Sequence, residues 1–289
     1  MTIGNWGRWG ADDELGALNL AGPQQAVRAA GLVREGRVLS LGQPLGPNTG
    51  VPPHRKRVER FMSRDGGDYA AGARRPHGFQ FAEDVVSFAS HSGTHLDALS
   101  HAWCDDSLYN GFSSNTIRST SGAGRCGAEQ LRPLVTRGVL LDVAAGRPEP
   151  LQAGEAITAA DLQNAAGDVQ LEPGDAVLIH TGWLAHAGDD PSRYFAAEPG
   201  IDLGAATWLA AADVSLVGAD NYAVEVQPSA PGTSFPVHLL LLRERGVPLL
   251  EGVVLAELVA TGRTTFLFVS APLPLVGSTA GPVCPIAVL

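Results

Sequence analysis

Short apolar runs bounded by turn residues dominate the second half of the chain. Gly138-Val139-Leu140-Leu141-Asp142-Val143, Asp175-Ala176-Val177-Leu178-Ile179-His180, Val214-Ser215-Leu216-Val217-Gly218 and Thr265-Phe266-Leu267-Phe268-Val269 are each too short for a buried helix, so they are predicted to be core strands. Between them, Thr158-Ala159-Ala160-Asp161-Leu162 has the spacing of a capping box and opens a helix, and Asp202 to Ala212 is a second, alanine-rich one. Strands that alternate with helices define an α/β protein, and pattern alone favours a doubly wound sheet.

The first half is less regular. Gly42 to Pro76 is rich in proline, glycine and basic residues and is predicted to be a long loop, with Pro52-Pro53-His54-Arg55-Lys56-Arg57 as a solvated face or an oligomer contact. Val85, Val86 and Phe88 precede a Ser90-His91-Ser92-Gly93 break, so a strand should run into a turn there, with His91 at its end. Thr94 to Leu99 can then continue extended. Side chains two apart on a strand share a face, which puts His95 and Asp97 on the same side. A helix would also align His91 with His95, one turn apart, but Ser-Gly-Thr is a poor helix interior.

That segment holds three of the chain's eight histidines, His91, His95 and His101, and the carboxylate of Asp97. Imidazole and carboxylate together suit a borderline cation such as zinc or manganese and leave coordination positions open. Burying such groups without a shared cation or polar network is costly. His101, four residues past Asp97, borders the same site without having to ligate and suits proton transfer. His54, His77, His180 and His186 stand alone and read as structural. A second constellation lies downstream: Ser234-Phe235-Pro236-Val237-His238 has a hydroxyl cap candidate and an early proline, and the run ends in basic residues and Gly246, so a helix is predicted with His238 in its first turn. Val247 to Glu251 then reads as an extended segment that presents the Glu251 carboxylate at its end. Trp103, Tyr109, Phe112 and Trp183 are candidates for an apolar wall around a substrate.

His-Ser-Gly-Thr-His-Leu-Asp-Ala-Leu-Ser-His, from His91 to His101, resembles the signature of the metal-dependent cyclase superfamily, which includes bacterial kynurenine formamidases and isatin hydrolases. The resemblance extends to Asn5-Trp6-Gly7-Arg8-Trp9-Gly10 with Leu18-Asn19-Leu20, to Tyr109-Asn110-Gly111, to Thr181-Gly182-Trp183 and to Gly218-Ala219-Asp220, as in the longer bacterial subgroup. It implies a swivelling β/β/α, barrel-like fold in place of the doubly wound sheet. It also implies first-metal ligands at His91, His95 and Asp97, a catalytic histidine at His101, and a role for His238 and Glu251 in holding a second ion, with Glu251 able to share in proton transfer. The implied cofactor is a divalent metal, Zn2+ or Mn2+, as one or two ions. The implied reaction is hydrolysis of a small amide, imide, formamide or lactone by a homodimer or larger homo-oligomer. Departures occur after Asp97, where a proline is common, and at Cys104 and Cys284, where an aromatic residue and an arginine are expected.

Composition narrows the alternatives. With 289 residues, 45% apolar and 17% charged, and no linker-like tract, residues 1–289 are expected to form a single domain with an N-terminal extension and loop over about 1–80. A net charge of −10 argues against a nucleic-acid partner. No run of eighteen apolar residues occurs, so no membrane partner is expected, and three cysteines favour reduced thiols in the cytoplasm. Gly277-Ser278-Thr279-Ala280-Gly281 has its serine one place early for a nucleophile elbow, and no phosphate-cradling glycine loop is present. The rival to an enzyme is a non-catalytic protein that binds a metal or a small ligand on the same fold; it would keep His91, His95 and Asp97 and make no use of His101.

Overall fold

The computed structural model describes residues 4–289. The strands of its main sheet and of one hairpin are β1 (Val38–Ser40), β2 (Glu59–Arg64), β3 (Glu83–Ser87), β4 (His95–Asp97), β5 (Leu134–Asp142), β6 (Ala176–His180), β7 (Leu216–Ala219), β8 (Leu249–Glu251), β9 (Thr265–Ser270), β10 (Ala280–Pro282) and β11 (Ile286–Val288). Its helices include α1 (Pro23–Ala30), α2 (Ala159–Ala166), α3 (Leu203–Ala211) and α4 (Pro236–His238), which runs on as a π-helix over Leu239–Glu244.

Nine strands form one curled, mixed sheet in the order β1-β11-β9-β5-β6-β7-β8-β4-β10. The centre, β5 to β8, is parallel. Its strands are apolar on both faces because both faces are covered, which is why β6 and β7 read as unbroken apolar runs. Antiparallel strands flank the centre on each side, where a doubly wound sheet would have continued in parallel. β9 alternates, with Phe266 and Phe268 turned inward and fully buried, each stabilising the fold by about 1.5–3 kcal/mol. Phe266 packs across Gly138 of β5, where an added Cβ would lie 2.3 Å from its ring.

The helices obey their local signals. Thr158 and Asp161 form the capping box of α2, and Asp202 caps α3 by accepting from the Ala205 N–H at 2.7 Å. Ala205, Ala206 and Ala210 let α3 lie close against the core. Ser234 does not cap α4. Phe235, at φ +47°, occupies the cap position, and the first amides of the helix are taken by a carboxylate from elsewhere.

The stretch expected to be a long loop contains β2 and a one-turn helix at Gly66–Ala70; β2 pairs with β3 as an exposed hairpin. The apolar pair Val85 and Val86 therefore lies on a solvated ribbon. The N-terminal residues are a strap: the Asn5 and Trp6 side chains donate to the carbonyls of Arg245 and Arg243, fixing the far end of the π-helix. No helix among the described residues is long and apolar enough to cross a membrane.

Candidate metal centre

Strand register assembles the centre. Glu251, the last residue of β8, pairs with His95, the first of β4, and cross-strand partners point to the same face. Asp97 lies two residues further along β4 and joins them. The pairing is locked by Thr94, whose hydroxyl donates to Gly252 O (2.7 Å) and accepts from Gln43 N (2.8 Å). Gly93, at φ +61°, turns the chain so that its carbonyl meets the His95 ring, and a Cβ there would strike Leu45 at 2.7 Å. His91 sits in the turn ahead of β4, four residues past the end of β3 and not at a strand's end, and His238 enters from the first turn of α4.

Asp97 is the hub. Its Oδ1 lies 2.8 Å from His91 Nδ1 and 3.6 Å from His95 Nε2, while Oδ2 lies 3.9 Å from His101 Nε2 and 3.8 Å from His238 Nε2. Glu251 bridges on the other side, with Oε2 at 3.1 Å from His95 Nε2 and Oε1 at 3.5 Å from His238 Nε2. The arrangement has two lobes that share Asp97, one with His91 and His101 and one with His95 and Glu251, and His238 borders the second.

Hydrogen bonding shows what these groups are built to receive. His91 Nδ1, His95 Nε2 and both Asp97 oxygens are buried without a hydrogen-bond partner, although they crowd together. Their outer atoms are fully engaged. His95 Nδ1 donates to Gly93 O at 3.0 Å, and His91 Nε2 is 3.0 Å from Thr279 Oγ1. His238 Nδ1 donates to Glu225 Oε1 at 2.6 Å. Tying down the outer nitrogen of each imidazole aims the inner lone pair at a common centre, the arrangement by which proteins orient metal-binding histidines. The donor set of imidazoles and carboxylates fits a divalent cation.

Protonation tells the same story. Burial works to raise Asp97, yet the imidazoles of His101 and His91 overcome it and hold the carboxyl below its usual range. Burial and Asp97 push Glu251 up, and His238 and His95 outweigh them. Burial disfavours a charged His238, but its bonds to Glu225 and Glu251 raise it to about 10. His101 differs: desolvation lowers it to about 4, leaving a neutral imidazole at neutral pH.

A cavity of about 580 Å³ opens beside the cluster, lined by His101, His238 and Glu251 and by Trp103, Tyr222 and Phe235. His101, with 28% of its side chain exposed, is the imidazole best placed to meet a bound molecule. Behind the cluster, His91, His95 and Glu251 bound a chamber of about 20 Å³, large enough for a single ion- or water-sized body.

The structure thus brings together His91, His95, Asp97, His101, His238 and Glu251, and it puts Trp103 in the cavity wall. Three of the proposed wall aromatics lie elsewhere. Tyr109 is fully buried and donates to Asp13, Trp183 is buried with its indole N–H on Tyr194 O, and Phe112 packs on the core beneath Arg125. Tyr222 and Phe235 take their place. Glu225 was missed altogether: it lies in a loop with no periodicity, and only its acidity would have marked it.

A curled α/β sheet that presents imidazoles and carboxylates around a candidate divalent-metal site defines a recognisable class. The chain belongs to the cyclase family: residues 39–226 match the family described as "Putative cyclase". It is 36% identical to a protein whose crystal structure is described as that of a novel cyclase, over 99% of both chains, with a TM-score of 0.92. Isatin hydrolase A from Ralstonia solanacearum shares the fold at 21% identity and a TM-score of 0.67, over 91% of this chain and 94% of that one. A predicted metal-dependent hydrolase from Bacillus stearothermophilus does so at 20% identity and a TM-score of 0.56, over 87% of this chain and 97% of that one. No curated protein matches.

Proposed function

We propose that this protein is a metal-dependent hydrolase of a small amide, cyclic amide, formamide or lactone, working with one or two ions of zinc or manganese. The observation that carries the reading is the set of buried, unpartnered atoms His91 Nδ1, His95 Nε2 and Asp97 Oδ1 and Oδ2 facing one another beside an open cavity. His91, His95 and Asp97 would hold the first ion, and His238 and Glu251, with Asp97 shared, a second. When bound, such an ion polarises a carbonyl and makes water acidic enough to attack at neutral pH.

The chain's own residues supply the rest. His101 is neutral at neutral pH and borders the cavity, so its Nε2 can accept a proton from the attacking water and return it to the leaving nitrogen or oxygen. Trp103, Tyr222 and Phe235 line the cavity and offer faces for a planar substrate. Glu225 holds His238 in the tautomer that keeps Nε2 toward Asp97. Cys104, Cys126 and Cys284 are free thiols, as suits a cytoplasmic enzyme, and a homodimer or larger assembly belongs to the same reading.

The test is elemental analysis of protein purified without chelator, followed by a hydrolysis screen over N-formylkynurenine, isatin and small lactones with that ion restored. Turnover on one of them is expected. His101→Ala should keep the metal and lose about 10²–10⁴-fold in rate. A metal-replete protein inert on the whole panel favours the binding-protein alternative, and full activity in His101→Ala would refute the proton-transfer role given to His101.

A further inference from the structure

The cavity holds a cation that nothing among the described residues neutralises. Arg55 lines both the cavity and the small chamber behind it. Its Nη1 donates to His91 O at 2.6 Å, and its guanidinium lies over the Tyr222 ring, 5.3 Å from the centroid. Among the described residues no carboxylate pairs with it, and its Nε and Nη2 have no protein acceptor, whereas Arg8, Arg125 and Arg137 each pair with an acid. Its neighbours behave as the sequence suggested: Lys56 pairs with Glu59 at the surface and Arg57 is exposed. One of three consecutive cations has been turned inward.

Its two contacts fix the guanidinium plane. The carbonyl holds one edge and the aromatic ring one face, which leaves the remaining N–H donors as a fork of the shape that pairs with a carboxylate. The surroundings strengthen such a pair. Trp103, Phe235, Ala102 and Leu239 contribute apolar wall, and the cavity's carboxylate, Glu251, faces His95 and His238.

We propose that Arg55 is a substrate anchor, and that the site takes an aromatic molecule carrying a carboxylate separate from its scissile carbonyl, the carboxylate on Arg55 and the ring against Trp103 and Phe235. The nature of the scissile bond rests on the hydrolase reading above; the anion anchor rests on the cavity alone.

Binding separates the two. Titration calorimetry of 3-phenylpropionate and its neutral isostere 3-phenylpropionamide into the full-length protein as purified, with metal content matched between variants, should show the carboxylate bound at least about tenfold more tightly, as a charge-assisted pair gives. In Arg55→Gln the gap between the two probes should close, and Arg55→Lys, with the charge kept and the fork lost, should fall between. Equal affinity of the probes in the unmodified protein, no binding of either, or a gap that survives Arg55→Gln would each overturn the anchor. A gap that survives would assign the carboxylate to the ion instead, and equal losses for both probes would make Arg55 a wall residue. Failure of the hydrolysis screen with this binding pattern intact would count against the hydrolase reading and not against the anchor.

Discussion

Two histidine–carboxylate clusters stand at the carboxyl ends of the parallel strands, and they have opposite characters. In one, His180 at the end of β6 donates from Nδ1 to Asp142 at 2.7 Å and approaches Asp220 at 3.8 Å. Asp220 is saturated, accepting from the Thr181 amide and hydroxyl and from the Gly182 amide. In the other, around Asp97, the outer atoms are equally well bonded but the inner ones face one another without partners. Composition alone would not separate them. Unmet hydrogen-bonding capacity in a buried place costs stability, so it persists where another species supplies the missing interaction. The first cluster ties strand ends together; the second has the donor set and the unmet valences of a candidate divalent-metal site.

That contrast can be broken deliberately. Asp97→Ala removes the carboxylate common to both lobes; metal content by elemental analysis should fall to background and turnover by about 10³-fold or more, since a Lewis-acidic ion supplies several kcal/mol to such a reaction. Glu225→Gln acts one layer out and should weaken metal affinity about 10–100-fold while the fold survives, read by competition with a chelator. It should also change the metal-free protein. His238, raised to about 10 from its ordinary 6.5, contributes stability that is fully present below pH 6.5 and is lost as pH rises toward 10. Denaturation midpoints in chelator should follow that decline in the parent and flatten in Glu225→Gln. The smallest effect belongs to the saturated cluster: His180→Ala should cost about 1 kcal/mol in urea unfolding and leave metal content unchanged. Loss of metal in His180→Ala would erase the distinction between the clusters.

The centre was unusually legible because four of its groups fall within His91 to His101, and the two-residue spacing of His95 and Asp97 already places them on one face. Glu251 was legible only as a strand end. Its pairing with His95 depends on β4, a three-residue strand inserted antiparallel beside a parallel one, and so short a strand leaves no periodic trace. The same brevity hid the antiparallel flanks of the sheet, since β1, β10 and β11 are three residues each. Apolar patterning gave the parallel centre correctly and suggested a continuation that does not exist. The aromatic assignments failed for a different reason. Proximity in sequence to a motif says little about which way a large side chain turns, and Tyr109 and Trp183 pack inward, where their polar tips reach Asp13 and Tyr194 O. Arg55 was hidden within a basic run whose other members do face solvent.

The most direct test of the account is to titrate zinc and manganese into metal-free protein and His95→Ala by calorimetry, with anomalous diffraction from crystals of the loaded protein. The account predicts one or two ions per chain, anomalous peaks flanked by His91, His95 and Asp97, and loss of binding in His95→Ala. Uptake of no ion by the unmodified protein, or equal uptake by His95→Ala, would contradict it.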